Sequence, residues 1–156
     1  MSISNIELYH GAVLTQIIRN PDISIKLFER NSEEGWGAYY VFDNLKQYLI
    51  YIKYTTNVSI GKKKKRSTFT FSPEDIVRIK RHLGEREIMV CLVCGAEEIC
   101  LLDERDLDEL ELLDNHSSFV AVSVSWEKGT SLSVKSRGRE LSHKVPRNRL
   151  KNFAWK

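Results

Sequence analysis

The sequence predicts a single α+β domain, in which helices and strands alternate over residues 4–94 and antiparallel strands follow over 97–156. Three observations predict it. Apolar residues recur at helical spacing in two capped segments, dense runs of β-branched and aromatic residues lie between and after them, and the chain of 156 residues is long enough for one core only. A composition with 42% hydrophobic and 29% charged residues is that of a globular protein and excludes disordered or fibrous classes. No stretch approaches the ~20 apolar residues of a membrane span. Met1-Ser2-Ile3-Ser4 also lacks the basic, apolar, small-residue order of a secretory leader, so a cytoplasmic location without membrane contact is expected.

The first helix is expected from Ser4, where Ser4-Asn5-Ile6-Glu7 has capping-box spacing. Ile6, Tyr9, Val13 and Ile17 form its stripe, and Asn20-Pro21 stops it. Ile23, Ile25 and Leu27 then alternate as in a strand, and a second strand runs from about Gly37 to Phe42. Asp43-Asn44 is turn chemistry, which makes Tyr48 to Thr56 the third strand of a hairpin. A loop over Asn57–Arg66 leads to an extended piece at Ser67–Phe71. Ser72-Pro73-Glu74-Asp75 then opens a second helix with an N-cap, proline in the first turn and two acids, and Gly84 ends it. Strands at Glu87–Cys94 and Ile99–Leu102 flank a tight Gly95-Ala96 connection. Asp103 caps a short acidic helix to about Leu113, with Leu107 and Leu110 inward and Asp106, Asp108, Glu109 and Glu111 largely outward. The last third reads as strands at Phe119–Val124, Ser131–Lys135 and Glu140–Val145, joined by Lys128-Gly129 and Arg137-Gly138 turns.

Three cysteines, Cys91, Cys94 and Cys100, lie within ten residues, an odd set that suits reduced thiols better than a disulfide framework. Cys91 and Cys94 have the spacing of a zinc or redox pair. In a strand, however, side chains three apart point to opposite faces, so core cysteines are the main reading. The four histidines lack metal-ligand spacing, and no nucleotide-binding or hydrolase fingerprint occurs. No metal site and no resident cofactor are expected. His10 lies one helical turn from Glu7 and is a weak catalytic signal.

The order helix, strand, strand, strand, helix, strand resembles the PD-(D/E)XK restriction-endonuclease-like superfamily. Glu7 stands in its first helix, Asp43 after its second strand and Tyr51-Ile52-Lys53 on its third. The resemblance implies a mixed central sheet with αβββαβ core order. It also implies a site where carboxylates hold Mg2+ while the lysine positions the attacking water. Glu7, Asp43 and Lys53 are the catalytic candidates under that reading. The acid expected two residues before the lysine is Tyr51, and a phenol with an ordinary pKa of ~10 is a poor magnesium ligand. The fold is therefore carried over as an expectation and the activity is not. A Mg2+-dependent nuclease with a displaced acid remains the enzyme alternative.

Charge lies in blocks. Between Asn44 and Pro73 there are seven basic residues and no acid, Glu97–Asp114 carries nine acids against one arginine, and Lys128–Lys156 carries nine basic residues and one acid. Two basic blocks folded onto one face would attract phosphate, and a non-catalytic DNA- or RNA-binding or scaffolding protein is the preferred expectation. The candidate contacts are Lys62, Lys63, Lys64, Lys65 and Arg66 in the central run and Arg137, Arg139, Arg147, Arg149 and Lys151 near the C-terminus. Phe69, Phe71, Phe153 and Trp155 are candidates for stacking on bases, although Thr68-Phe69-Thr70-Phe71 reads equally well as a strand with both rings in the core. The competing explanation pairs the acidic helix with basic segments of the same chain or of a second copy, as in a protein-binding or self-assembling module.

Overall fold

The computed structural model describes residues 5–19, 23–31, 36–42, 46–114 and 117–152. Its elements run α1 (Asn5–Ile17), β1 (Ser24–Asn31), β2 (Trp36–Phe42), β3 (Gln47–Thr55), β4 (Ser59–Ile60) and β5 (Lys64–Phe71), followed by α2 (Pro73–Lys80). Then come β6 (Glu87–Cys94), β7 (Glu98–Leu102), α3 (Glu104–Glu109), β8 (Val120–Glu127), β9 (Ser133–Ser136) and β10 (Arg139–Glu140). The strands form two five-stranded sheets, β1-β2-β3-β6-β7 and β10-β9-β8-β5-β4. The first is mixed because β3 and β6 run parallel, in register from Tyr48 opposite Glu87 to Thr55 opposite Cys94. The second is antiparallel throughout.

The period of β3 explains its central place. Leu49 and Tyr51 face the second sheet while Tyr48, Ile50 and Ile52 face α1, so both faces of the strand are buried. Strand β6 behaves likewise, with Ile88, Val90, Leu92 and Cys94 on the inter-sheet side and Met89, Cys91 and Val93 on the helix side. Cys91 and Cys94 thus lie on opposite faces, as period two requires. Burial raises the Cys91 thiol well above its ordinary pKa and pushes Cys94 up to about 12, so both are protonated, unreactive core groups near neutral pH.

The parallel β3–β6 pair needs a crossover, and the chain supplies one by leaving the first sheet. Strands β4 and β5 join the second sheet, and α2 leads back to β6 with Ile76 and Ile79 in the inter-sheet core. Two expectations are corrected here. The segment Asn57–Arg66 is not a loop throughout, because Ser59–Ile60 and Lys64–Arg66 form a ladder with Ser59 opposite Arg66 and Ile60 opposite Lys65. The C-terminal strands do not lengthen the mixed sheet. The apolar face of β5, Phe69 and Phe71, pairs across eight residues with Val120–Glu127, and the second sheet grows from that ladder. The expected strand over Glu140–Val145 shrinks to Arg139–Glu140 and a single bridge between Val145 and Leu132.

Both internal helices start as their caps dictate. Ser72 accepts from the Asp75 backbone N–H at 3.1 Å while Asp75 accepts from that of Ser72 at 2.9 Å. Asp103 and Asp106 reciprocate in the same way at 3.0 and 3.1 Å. The second box corrects the outward placement of Asp106, whose side chain reaches back to the cap and is 1% exposed. No helix among the described residues is long and apolar enough to cross a membrane.

Helix α1 covers the outer face of the mixed sheet through Val13 and Ile17. His10 does not stay on the helix surface; it turns to the sheet, hydrogen-bonds the Tyr39 hydroxyl at 2.9 Å and meets Tyr54 edge-on. Its ring fits because Gly37 has no side chain, since a Cβ there would lie 2.8 Å from His10 Cε1 and 3.1 Å from Tyr39 Cε2. Gly37→Ala is expected to lower stability by about 1–3 kcal/mol in urea unfolding, as overpacked sites do. An unchanged midpoint would show that the helix shifts at no cost.

Candidate functional site

Two places concentrate polar chemistry. The first surrounds Lys53, whose side chain points to the inter-sheet side with Tyr51 and is 11% exposed. Its Nζ lies 3.7 Å from Asp75 Oδ2 and 5.2 Å from the centre of the Phe71 ring. Asp75 Oδ1 accepts from the Tyr51 hydroxyl at 3.3 Å and from Arg78 Nη1 at 3.2 Å. The Arg78 guanidinium covers Trp36, which stacks on Tyr51. Both oxygens of Asp75 are thus taken by donors from the cap, the strand and the helix. Such a carboxylate compensates a buried lysine and closes a helix terminus.

Of the nuclease-like candidates, Glu7 sits exposed on α1, on the other side of the mixed sheet from the Lys53 side chain. Asp43 lies outside the described residues. Among the described residues no three His, Cys, Asp or Glu side chains form a metal-holding group. The partner of Lys53 escaped sequence reasoning. Asp75 is legible as a first-turn acid, but nothing local says that α2 folds back over β3.

The second place is the β4–β5 hairpin. A groove of about 780 Å³ is lined by Lys62, Lys63, Lys64, Lys65, Lys128 and Arg147, with Glu97, Glu98 and Trp126 at its wall. Lys65 pairs with Glu97 and Arg147 with Glu98. Lys62, Lys63, Lys64 and Lys128 are exposed and have no carboxylate within 4.0 Å among the described residues. Arg66 lies exposed on β5 beside this groove.

The other candidate cations are placed differently. Arg149 donates to Asp106 Oδ2 at 2.7 Å and to the Leu101 carbonyl at 3.1 Å, and also pairs with Asp103. Arg139 meets Glu111 at 2.7 Å, and His143 lies 3.0 Å from Asp106. The acidic helix region therefore neutralises part of the C-terminal basic block within one chain. Arg137 and Lys151 are exposed in turns and line neither groove beside the hairpin. Phe69 and Phe71 are 2% and 0% exposed in the inter-sheet core, so neither ring can meet a base. Phe153 and Trp155 lie outside the described residues. Lys128 and Lys135 were not singled out in the sequence, although the first flanks a Gly turn and the second has outward parity on β9.

These features define an α+β protein with two packed sheets and a basic hairpin groove. Comparison with family models, curated proteins and solved structures finds no match, so no relative's residue roles are carried onto the chain.

Proposed function

We propose that the protein is a non-catalytic nucleic-acid-binding or scaffolding protein that holds a phosphate backbone at the β4–β5 hairpin. The observation that carries this reading is the convergence of Lys62, Lys63, Lys64 and Lys128 on one groove, where the lining carboxylates Glu97 and Glu98 are occupied by Lys65 and Arg147 and Glu127 stands opposite Lys64 without an ion pair to it. A concave surface with unmatched positive charge and low-dielectric walls focuses field lines, and phosphate is the anion that nucleic acids present in series. DNA and RNA share that chemistry.

The reading needs no metal. It omits a hydrolytic step because Asp75, the carboxylate beside Lys53, already accepts from Tyr51, Arg78 and the Ser72 backbone. Charge-driven self-assembly is the weaker alternative, since Asp103, Asp106 and Glu111 already pair with arginines of their own chain.

Retention of DNA or RNA on the immobilised protein tests the proposal. For four neutralised phosphates, log affinity for duplex DNA is expected to fall against log salt with a slope of about −3 to −4. Absence of retention at ~50 mM salt, or retention insensitive to salt, would overturn it. A salt-dependent change of molecular size without retention would favour the assembly reading.

A further inference from the structure

We infer that the nucleic acid is a duplex, gripped through its phosphates by the hairpin groove and the outer face of the second sheet together. This rests on the nucleic-acid reading above. Strand alternation builds the outer face: β5 turns Ser67, Phe69 and Phe71 inward and leaves Lys64, Arg66, Thr68 and Thr70 outward. On β8 the outward set includes Ser123 and Ser125, and on β9 it is Ser133 and Lys135. Register then places Ser59, Arg66, Ser125 and Ser133 in one row, and Thr68, Ser123 and Lys135 in the next.

A second groove, of about 460 Å³, is lined by Ser59, Lys64, Arg66, Ser123, Ser125 and Lys135. It shares Ile60, Gly61 and Lys64 with the hairpin groove, which Lys65 and Trp126 line from the inward side of their strands, so the two grooves meet around the edge of the hairpin. Glu127 opposite Lys64 and Glu140 opposite Lys135 border the track, while no carboxylate stands in the Arg66 row. Hydroxyls flanking cations are the donor set that positions a protein on phosphates, and they carry little base information.

Neither groove presents an exposed ring among the described residues for bases to stack on, and Phe119, 69% exposed just before β8, lines neither of them. Trp126 is the aromatic residue lining either groove and is 6% exposed, while Phe69 and Phe71 point into the core. Ile60, 77% exposed at the hairpin, is aliphatic and offers no π-face. Geometry admits two strands. Arg66 and Lys135 stand two strands apart and two residues out of line, which separates their Cα atoms by roughly 12 Å. That is on the order of the major-groove width of B-DNA, so the two cations can meet phosphates of both strands of such a duplex, whereas the narrow major groove of A-form RNA offers no such match.

The test is fluorescence anisotropy with labelled 20-base-pair DNA and RNA duplexes of two unrelated sequences, and with the corresponding single strands, at ~50 and ~150 mM salt. The expected result is at least one duplex type bound about tenfold tighter than its single strands, with the two sequences within about twofold. R66E/K135E is expected to weaken duplex binding on the order of tenfold with the unfolding midpoint unchanged. Single strands bound as tightly as duplexes would overturn this inference and leave nucleic-acid binding standing. Normal duplex binding by R66E/K135E would remove the sheet face from the site. Failure of every probe to bind would overturn the proposed function as well.

Discussion

Arg149→Ala is expected to lower the stability of the protein by about 3 kcal/mol, because it takes the arginine from buried Asp106 and half-buried Asp103. Arg149 bridges the first turn of α3 to the C-terminal segment, donating to Asp106, Asp103 and the Leu101 carbonyl. Asp106 is 1% exposed and is left with only His143 and the Asp103 backbone N–H among its described partners when the guanidinium leaves. Leu150, next along the chain, packs in the core beneath α1, so release of the arginine also loosens that anchor. Urea unfolding reads the effect, and a loss below about 0.5 kcal/mol would show that the clamp is dispensable.

The same clamp carries a pH dependence. Burial pushes the Asp103 carboxyl up, but the Asp106 backbone N–H and the Arg149 charge outweigh it and hold the group below its ordinary value. A depressed carboxyl contributes its full stabilisation above the unfolded-state pKa of ~3.9 and loses it as pH falls through the lower folded value. The penalty of Arg149→Ala is therefore largest near neutral pH and shrinks below about pH 4. A penalty constant from pH 7 to 3 would mean that the pair contributes nothing beyond packing.

Replacing Lys62, Lys63 and Lys64 together by Glu is expected to reduce nucleic-acid retention at ~0.15 M salt on the order of a hundredfold, and to flatten the salt slope by about three phosphate contacts. All three are exposed, two at the hairpin turn and one on the outward side of β5, so the fold is expected to survive. Reversing exposed Arg19, Lys26 and Arg105, which line neither groove, supplies the control of equal net charge. Equal loss in the control would mean that binding follows overall charge and not the hairpin. Unchanged retention in the triple variant would remove the groove from the site.

Local chemistry was most legible. Ser72-Pro73 and Asp103 start helices where their cap side chains meet backbone N–H groups three residues on, and that geometry needs no distant partner. Period two assigned Tyr51 and Lys53 to one face of their strand, and Cys91 and Cys94 to opposite faces, for an equally local reason. The basic run Lys62–Arg66 was less legible, because four lysines and an arginine look the same in a loop as along a strand edge. Only pairing with Ser59 and with Val120–Glu127 turns it into a hairpin.

The charge blocks divide in the same way. Their existence is plain from composition, but whether a cation faces solvent or a carboxylate depends on which distant segments meet. Arg149 resembles Lys64 as a sequence position, yet the first is held by Asp103 and Asp106 while the second stands open at a groove. The amino-acid order alone therefore determined the helices, most strands and the faces of their side chains, since these follow from dihedral preference and repeat within a few residues. Tertiary structure decided that β4, β5 and the C-terminal strands form a second sheet, that Lys53 faces Asp75, and which cations are left unmatched. Those outcomes depend on packing and charge pairing between segments far apart in the chain, which no local pattern records.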